Sequence, residues 1–586
     1  MEKEENILLD KHLPTFSMIK RSFGYIKPEI KTFILTFVFI IFNVVLSVAL
    51  PLFIGEITKN LKSDQINLEY IIFLVIVYFI LNFLNQIFLY FETMILQKAG
   101  QRIIYKLRME VYEHVLELSS SQLNHMPVGS LVTRVANYTT SVSDLFTSVF
   151  VKMITNILTI VGVFGVMLYI SPLLSAILLI IIVIVFIFSY IFERIIKKVF
   201  KKERNSISRL NTFLSENISG MKIIQAFNKE KDKKSEFDFY NNELKKNRVA
   251  VTKVFALYRP LMNFLFYLAI ASTFMFGVIL GLSSSEIVSF YFLLSRFFNP
   301  VQELADKLND LQRSLTALEK LFVLLDINPE VLDEEDAIEI DHFEGKIEFR
   351  NVYFAYENDD YILKNVSFIV NPKESVAFVG ATGAGKTTIL SLIVRNYEIN
   401  SGEILIDDIN IKHIKIKSLR KAIGQMLQDV FLFSGTIKEN ITLNDESFSD
   451  EEIKKVADYV NASYFIEKLP KKYEEVVIER GENFSSGERQ LLSFARTVLA
   501  KPQILILDEA TANIDTETES IIQQSLEKIK SIGTMLIVAH RLSTIQHCDK
   551  IFVLQDGKII ESGSHQDLLK NKGYYYKLYE LQFSNN

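Results

Sequence analysis

Long stretches without any charged residue dominate the first half of the chain. Asp, Glu, Lys and Arg are absent from residues 32–55, 70–91, 153–192 and 260–285. A helix of roughly 20 apolar residues crosses the hydrocarbon core of a bilayer, so each window is long enough for at least one crossing. The third window holds 40 residues and is interrupted by the Ser171-Pro172 dipeptide. We therefore expect two helices there, which makes five crossings in all.

A sixth crossing is predicted to follow them. The apolar run from Ile287 reaches Arg296 after nine residues, so this span has to carry the arginine within it or near its end. The hydrophobic share of the sequence is 49% and its mean hydropathy is positive, which is high for a soluble protein. A buried helical hairpin in a soluble protein can imitate one charge-free window, but four windows favour a bundle of six transmembrane helices.

Basic residues are distributed unevenly among the predicted loops. Sixteen follow the fourth span, within residues 194–253, and five follow the second, within residues 98–134. The connections at Ser171-Pro172 and at residues 281–285 have none. Because Lys and Arg accumulate in cytoplasmic loops, this asymmetry places both termini in the cytoplasm. The helical period of the two long loops also predicts that the spans continue as helices beyond the bilayer.

The overall charge and the cysteine content exclude some classes of protein. Sixty-four Lys and Arg residues are offset by 69 Asp and Glu, a net charge of −5 that gives no argument for a nucleic acid partner. Cys548 is the only cysteine, so the chain cannot form an internal disulfide. The acidic, polar stretch at residues 326–341 indicates a linker. We predict a transmembrane domain over 1–330, a linker over 331–344 and a second domain over 345–586.

The second domain contains a phosphate-binding motif. Short β-rich runs alternate with helical runs from Gly345 onward, which is typical of an α/β domain with a largely parallel sheet. Directly after S-V-A-F-V comes G-A-T-G-A-G-K-T-T, followed by the apolar run I-L-S-L-I. A strand before G-x-x-x-x-G-K-[ST] and a helix after it are the context that a P-loop requires. Its residues are Gly380, Ala381, Thr382, Gly383, Ala384, Gly385, Lys386, Thr387 and Thr388.

The residue types in and near this motif predict particular roles. Glycines allow backbone N–H groups to turn towards phosphate oxygens at a helix N-terminus. Lys386 is expected to contact the β- and γ-phosphates, and Thr387 to offer its hydroxyl to Mg²⁺. The strand I-L-I-L ends in Asp508, a second predicted Mg²⁺ ligand, and Glu509, which orients or deprotonates the attacking water. His540 ends another strand and is predicted to sense the γ-phosphate, although a lone histidine is more often structural.

Together these motifs resemble those of ATP-binding cassette (ABC) exporters of the half-transporter type. The likeness covers nearly the whole chain, with G-A-T-G-A-G-K-T-T similar to the Walker A motif and I-L-I-L-D-E similar to Walker B. It implies a membrane α-helical bundle of six helices followed by an α/β P-loop nucleotide-binding domain. It also implies that Gln428 is the Q-loop glutamine near Mg²⁺, His540 the switch histidine, Asp515 the D-loop aspartate, and Tyr356 the aromatic that stacks on adenine.

Residues 484–488, F-S-S-G-E, fall where the family has its signature motif, normally L-S-G-G-Q, which grips the γ-phosphate of ATP held by the opposite subunit. Ser485 and Gly487 fit that motif, whereas Ser486 replaces its first glycine and Glu488 its final glutamine. In any protein, S-x-x-E is also a helix capping box. A Cβ at Ser486 restricts φ and obstructs close approach. A carboxylate about 6 Å from a phosphate charge costs roughly 3 kcal/mol at an effective dielectric near 20, so the sequence predicts a weak signature.

The resemblance implies a dimer, because each closed ATP site needs the Walker residues of one subunit and the signature of the other. In a homodimer both sites would contain the altered signature. In a heterodimer an intact partner signature would complete one hydrolytic site, which is the arrangement we favour.

The resemblance also implies ATP-driven export of amphiphilic, multidrug-like molecules across the cell membrane by alternating access. A dedicated lipid or peptide exporter is the alternative, and an ATP-gated channel or regulator is a further one. Residues 111–119 and 216–224 resemble the coupling helices that dock on nucleotide-binding domains, although a solvated cytoplasmic helix would have the same periodicity. Ionisable residues near the spans are candidates for contact with cargo, or for simple snorkelling at the interface. They are Glu92, Lys152, Arg259 and Arg296.

Overall fold

The computed structural model describes residues 13–62, 66–356, 360–427, 429–508, 516–538 and 545–583. The chain forms two compact units. One comprises Met1–Leu116 and Pro127–Ile327, and the other comprises Glu117–Met126 and Asn328–Asn586. Each unit has a hydrophobic core of its own.

Helices build the first unit. Three helices, Val128–Thr133, Thr139–Asp144 and Phe150–Ile170, are joined by two π-helical turns, Arg134–Tyr138 and Leu145–Val149, so that Val128–Ile170 forms one helix. The short helix Ser120–Asn124 belongs to the second unit, as does Glu117. The helices are α1 (Thr15–Ile26), α2 (Ile30–Leu61), α3 (Leu68–Glu117), α4 (Ser120–Asn124), α5 (Val128–Thr133), α6 (Thr139–Asp144), α7 (Phe150–Ile170), α8 (Pro172–Ser219), α9 (Met221–Ala226), α10 (Glu230–Ile279) and α11 (Ser284–Leu325).

Among the described residues, five helices are long and apolar enough to cross a membrane. The shortest has 43 residues and the longest have 50. At 1.5 Å per residue even 43 residues extend about 65 Å, twice the thickness of the hydrocarbon core, so the prediction that the spans continue beyond the bilayer is confirmed. The five are Thr15–Leu61, Leu68–Glu117, Val128–Ile170, Pro172–Ser219 and Glu230–Ile279.

The predicted break between the third and fourth spans is confirmed at Ser171. Its backbone is extended, with φ −151° and ψ 102°, and its hydroxyl accepts a hydrogen bond from the N–H of Leu174 at the start of α8. Pro172 fits the first position of α8 because that position needs no N–H donor. The predicted sixth span falls on α11, where Glu286 and Arg296 interrupt the apolar sequence. α11 is not one of the five, so this crossing stays a prediction.

The core of the first unit lies between α2, α7, α8, α10 and α11. On α11 the buried residues Phe290, Leu293, Leu294 and Phe297 are spaced three and four apart, which places them on one face of the helix. Other faces of the unit leave large apolar side chains exposed, such as Phe83 at 67%. Exposed apolar surface of this kind is what a hydrocarbon environment favours.

Over the described residues after 327, the second unit contains twelve strands and nine α-helices. The strands are β1 (Ile347–Ala355), β2 (Tyr361–Val370), β3 (Ser375–Gly380), β4 (Ser401–Ile406), β5 (Ile409–Asn410), β6 (Ile423–Met426), β7 (Gly435–Thr436), β8 (Val476–Val477), β9 (Ile504–Asp508), β10 (Thr534–Val538), β11 (Lys550–Gln555) and β12 (Lys558–Gly563). The helices are α12 (Lys386–Ile393), α13 (Ile416–Ala422), α14 (Ile437–Thr442), α15 (Asp450–Tyr459), α16 (Ser463–Ile466), α17 (Ser486–Leu499), α18 (Thr516–Ile529), α19 (His565–Asn571) and α20 (Tyr574–Phe583).

A six-stranded sheet forms the centre of this unit, in the order β12-β11-β3-β10-β9-β6. All neighbouring strands in it are parallel except β11 and β12, so the predicted α/β class with a largely parallel sheet is confirmed. Alternate residues of β9 enter different cores: Ile504 and Ile506 pack on one face, Leu505 and Leu507 on the other. Burial of both faces explains why this strand is apolar throughout.

A second, antiparallel sheet has the order β2-β1-β4-β5. It packs with α12 on one face of the six-stranded sheet, and α14 to α18 cover the opposite face. The first of the β-rich runs after Gly345, K-I-E-F, belongs to β1 in this antiparallel sheet and not to the predicted parallel one. A β-rich run shows that a strand forms but does not show which sheet it joins.

Residues 331–344 have little regular structure and pack against other residues of the second unit. Val331 and Phe343 are buried, and Ile338 forms a parallel bridge with Ile414. The N–H of Ile338 donates to the carbonyl of His413 over 2.8 Å. The segment is therefore held by backbone hydrogen bonds.

The segment Glu117–Met126 also belongs to the second unit. Ser119 caps α4 through a capping box with Gln122. The side-chain amide of Gln122 donates to the carbonyl of Asn328 over 2.8 Å, and the Ser119 hydroxyl donates to Glu330 Oε2 over 3.1 Å. Of the predicted coupling residues 111–119, most form the end of α3, and Ser119 is the N-cap residue of α4; their coupling role stays a prediction.

Candidate nucleotide-binding site

Four parallel strands end at the same edge of the six-stranded sheet. β10 lies between β3 and β9, with Val538 paired to Phe378 and to Asp508. On the other side of β9, Met426 at the end of β6 pairs with Leu507. The start of the P-loop, Asp508 and the carboxyl ends of β10 and β6 therefore lie side by side. Ligands of open α/β sheets bind at this carboxyl edge of the strands.

The P-loop connects β3 to α12. Gly385 is the N-cap residue of α12, at φ 100°, and no side chain caps the helix. Glycine is required there because L side chains rarely adopt this φ, and a Cβ would lie 2.6 Å from Leu363 Cδ2. The first N–H groups of a helix have no partner within it. At α12 they are not taken by a side-chain cap, which is the arrangement that binds a phosphate.

Lys386 lies within the loop at the start of α12. It is only 7% exposed, and its Nζ donates to the carbonyls of Gly380 over 2.8 Å and of Ala381 over 3.0 Å. These bonds hold the ammonium over the residues that the sequence assigned to phosphate binding. A nearly buried cation at this position favours an anionic ligand.

Thr387 and Asp508 bring two oxygen atoms together at the strand ends. Thr387 Oγ1 lies 3.5 Å from Asp508 Oδ1, although the residues are 121 positions apart in sequence. Hydroxyl and carboxylate oxygens are the hard ligands that Mg²⁺ prefers, and the ion usually takes few ligands from the protein. The two residues therefore fit the predicted Mg²⁺ site.

Tyr356 lies beside the P-loop helix. Its hydroxyl is 3.0 Å from Thr388 Oγ1, and its ring makes edge contacts with Phe354 and Tyr397 at centroid distances of 4.9 and 5.0 Å. The side chain is 46% exposed. Burial raises the pKa of the Tyr356 hydroxyl, so the phenol stays neutral. Thr388 thus holds the ring in place through its side chain, and part of the ring is left open to a ligand.

Tyr397 was missed by the sequence analysis. It contacts Tyr356, and its hydroxyl accepts a hydrogen bond from Asn124 Nδ2 on α4 over 3.4 Å. Within the second unit, Tyr397 therefore connects the proposed adenine-stacking residue to α4. No local motif marks this tyrosine, because the contact depends on residues distant in sequence.

Four of the predicted site residues lie outside the described residues: Gln428, Glu509, Asp515 and His540. The strands that precede three of them are described, and these end at the carboxyl edge beside the P-loop. Their assigned roles stay predictions.

The stretch F-S-S-G-E begins α17. Ser485 is its N-cap residue, and its Oγ accepts from the N–H of Glu488 over 3.2 Å. In return Glu488 Oε2 accepts from the N–H of Ser485 over 2.8 Å. The predicted capping box is confirmed. The carboxylate of Glu488 therefore lies against the N-terminus of the helix.

The backbone at Ser486 needs no glycine. Ser486 is the first helical residue of α17, and neither it nor Gly487 is among the positive-φ positions of the described chain. The expected restriction on φ therefore costs nothing at this site, since every L residue adopts helical φ. What Ser486 adds is the bulk of its side chain at a half-exposed position. Any loss of phosphate affinity has to come from that bulk and from the charge of Glu488.

A P-loop on a parallel sheet, with an acidic strand end beside it, defines a nucleotide-binding domain, and the long apolar helices of the same chain define a membrane protein. Residues 33–301 match the family described as "ABC transporter transmembrane region". Residues 363–512 match the family described as "ABC transporter". The order of these two matches is that of the two predicted domains.

Similar proteins have the same organisation. The Bacillus subtilis protein named "Probable multidrug resistance ABC transporter ATP-binding/permease protein YheH" is 36% identical over 505 residues, covering 84% of this chain and 74% of that protein. The ATP-dependent lipid A-core flippase of Syntrophus aciditrophicus is 34% identical over 498 residues, covering 84% of this chain and 83% of the flippase.

The solved structure of a bacterial Atm1-family ABC exporter with ATP bound shares the fold, with a TM-score of 0.80 at 25% identity. The match covers 94% of this chain and 98% of that one. The chain belongs to the ABC transporter family, as a half-transporter of the exporter type. It is an ATP-hydrolysing translocase of the cell membrane, its nucleotide-binding domain is cytoplasmic, and it acts as a dimer.

Proposed function

We propose that the chain is one half of an exporter that moves amphiphilic small molecules out of the cell by alternating access. The single observation that carries the energy-coupling part is the approach of Thr387 Oγ1 to Asp508 Oδ1 beside the uncapped start of α12. The cargo is inferred from two relatives, one named as a probable multidrug resistance transporter and the other as a lipid A-core flippase. Both names support a cargo with apolar and polar parts.

In the proposed site, ATP lies along the P-loop. The N–H groups of residues 380–388 surround the β- and γ-phosphates, Lys386 pairs with them, and Tyr356 stacks on the adenine. Thr387 and Asp508, with Gln428, would hold Mg²⁺, which supplies positive charge to the β- and γ-phosphate oxygens when it is bound. These residues position the γ-phosphate at the edge of the sheet.

The remaining residues act on the bond to be broken. Glu509 orients or deprotonates the attacking water, and His540 contacts the γ-phosphate from the neighbouring strand. Asp515 and the signature residues Ser485, Ser486, Gly487 and Glu488 face the opposite subunit. ATP binding draws two nucleotide-binding domains together and turns the membrane cavity outward, and hydrolysis resets it.

We further propose that the dimer is a heterodimer. The support is the capping box of α17, in which Glu488 places a carboxylate at the helix start that the signature uses for a partner's γ-phosphate. Two copies of this chain would form two weakened sites, whereas a partner with L-S-G-G-Q would restore one. The chain expressed alone should therefore show low ATPase activity. A stable homodimer with two equivalent sites and full cargo-stimulated ATPase would contradict this arrangement.

The test of the proposed function is uptake of a fluorescent amphiphile into inside-out vesicles that contain the full-length chain with candidate partners. Glu509→Gln should abolish uptake while ATP binding is retained, because the substitution removes the proposed base and keeps the side chain's size. The matched control is Glu527→Gln on α18, an exposed carboxylate paired with Lys530, which should leave uptake unchanged. Unchanged pumping in Glu509→Gln would place the catalytic base elsewhere.

A dedicated lipid flippase is the second candidate, favoured by the similarity to the lipid A-core flippase. Vesicles loaded with a labelled phospholipid distinguish the two. A flippase would translocate the lipid and be insensitive to competition by drug-like amphiphiles, whereas the proposed exporter would show mutual competition.

A further inference from the structure

One face of α3 carries two buried polar side chains. Asn85 is 8% exposed and Glu92 is 4% exposed. They are seven residues apart, which places them on the same face about 10 Å apart along the helix axis. Asn85 Oδ1 and Glu92 Oε2 are buried and have no hydrogen-bond partner among the described residues. Two acceptor oxygens on one helix face therefore lack a donor.

A carboxylate oxygen without a donor is costly at a buried position of a membrane protein. Lys152 on α7 attracts Glu92 electrostatically. Lys152 is exposed, and within the described part of the chain no ion pair or hydrogen bond joins the two. Glu303 differs, because Asn156 Nδ2 donates to its Oε2 over 3.3 Å. Glu92 thus has a charge nearby but no donor of its own.

A cluster of phenylalanine rings on α2 and α3 begins one turn from this position. Phe88 lies one turn before Glu92 on the same face of α3. Its ring centroid is 5.8 Å from that of Phe39 and 5.5 Å from that of Phe42 on α2, and Phe39 is 6.3 Å from Phe91. The faces of aromatic rings attract cations, and organic ammonium groups are bound by such clusters. A carboxylate beside several rings therefore favours an organic cation.

The depth of Glu92 favours an amphiphile. Glu69 and Glu92 bracket the charge-free window of α3. They are 23 residues apart, about 35 Å along the axis, slightly more than the hydrocarbon thickness of about 30 Å. α3 enters the cytoplasm at its C-terminal end, where the basic residues are concentrated. Glu92 therefore lies at the inner-leaflet interface, which is the level of a lipid-like molecule's polar head.

We propose that Glu92 binds the ammonium head of a cationic amphiphile taken from the inner leaflet, with the phenylalanine rings of α2 and α3 against the head and the adjoining carbons. An ammonium N–H supplies the donor that the buried Glu92 Oε2 lacks among the described residues. This inference names the substrate class of the proposed exporter and rests on that function.

The test is equilibrium binding to the full-length chain in lipid nanodiscs, corrected for partition into nanodiscs without protein. The probes are dodecylammonium and dodecanol, which share a chain and differ in head-group charge. The native chain should bind dodecylammonium at least about tenfold more tightly than dodecanol, the range expected for a charge-assisted hydrogen bond. Glu92→Gln should remove that preference and leave dodecanol binding unchanged.

The matched control is Glu193→Gln on α8, a carboxylate that already pairs with Lys197 over 2.6 Å and should not alter either affinity. The proposal is wrong if Glu92→Gln weakens both probes equally, which would indicate a packing role, or if the native chain does not prefer the ammonium probe. Either result leaves the proposed export function standing, because ATP-dependent uptake of a neutral amphiphile tests that function separately. Absence of all amphiphile uptake, with the ammonium preference intact, would contradict export and keep the site.

Discussion

The nucleotide-binding domain contains two helix starts that are predicted to meet phosphate, and they are built differently. α12 begins at Gly385 without a side-chain cap, with the Lys386 ammonium within the loop. α17 begins at Ser485 with a complete capping box, closed by the carboxylate of Glu488. The same capping device begins α14 and α15. The start of α12 is therefore left open for an anion, whereas the start of α17 already has the carboxylate of Glu488 beside it.

This difference shows that a phosphate site depends on which helix N–H groups the local side chains do not already bond. A capping box stabilises a helix by satisfying its first N–H groups, and each group satisfied internally is less available to a ligand. An uncapped start forgoes that stability, typically about 1 kcal/mol, unless a ligand provides the bonds. Side-chain caps and a phosphate ligand thus compete for the first N–H groups of a helix: at α17 a side chain takes them, and at α12 they are left for the ligand.

The largest effect is expected from Lys386→Ala, which removes the cation from the open helix start. ATPase activity of the dimer should fall by about 100-fold or more, the size of loss seen when a charge-stabilising donor is removed from an active site. Steady-state ATPase assays check this, with the exposed Lys364→Ala on β2 as the control. Activity within a fewfold of native would show that the helix starts of α12 and α17 differ less in phosphate binding than their geometry suggests.

A smaller effect, of opposite sign, is expected from Glu488→Gln. Glutamine keeps the carbonyl acceptor for the Ser485 N–H but removes the charge, so repulsion of a partner's γ-phosphate disappears. Solvent screening at this half-exposed site reduces the Coulomb figure to an expected gain of about tenfold in ATP affinity. The measurement is the ATP concentration for half-maximal ATPase in dimers of this chain with itself. Glu482→Gln, an exposed neighbour outside the capping box, should change nothing, and an equal gain there would contradict the specific role of Glu488.

Ser485→Ala should cost about 1 kcal/mol of unfolding free energy, because the N3 amide of α17 loses its acceptor. Cys548 offers a reporter, since burial raises the pKa of its thiol to about 12 and makes it unreactive in the folded domain. Its rate of alkylation in rising urea should increase earlier in the variant. Ser449→Ala at the capping box of α15 is the matched control, with a similar stability loss and unchanged ATPase. A loss only in Ser449→Ala would mean that α17 has support beyond its cap.

The smallest effect is expected from Ser486→Gly. Because φ at this position is helical, glycine relieves only side-chain bulk, and ATP affinity should improve by about two- to threefold in the same ATPase assay. The gain should add to that of Glu488→Gln, since one change is steric and the other electrostatic. A gain larger than that of Glu488→Gln would mean that bulk, and not charge, weakens the signature.

Much of the fold was predictable because it depends on local pattern. Charge-free windows, the Ser171-Pro172 break and the strand before Gly380 are each encoded within a few residues. The P-loop and Asp508 were also predictable, since parallel strands bring their carboxyl ends to one edge. The structure confirms that Thr387 and Asp508 meet there.

Features set by distant contacts could not be predicted. The position of β1 in the antiparallel sheet, the ring contact of Tyr397 and the lack of a donor for Glu92 all depend on partners far away in sequence. The backbone angle at Ser486 was misjudged because the family comparison suggested a glycine requirement that a helix start does not impose. Gln428, Glu509, Asp515 and His540 stay predictions.

The membership of Glu117–Met126 in the second unit has a practical consequence for anyone who wishes to study the ATPase half in isolation. A polypeptide that begins at Asn328 would lose the side-chain amide that bonds to its own first carbonyl and the hydroxyl that bonds to Glu330. A synthetic decapeptide of this sequence, added in trans, should therefore bind to the severed half and restore it. Such complementation would allow the contribution of this segment to the ATPase half to be measured by adding the peptide at increasing concentration.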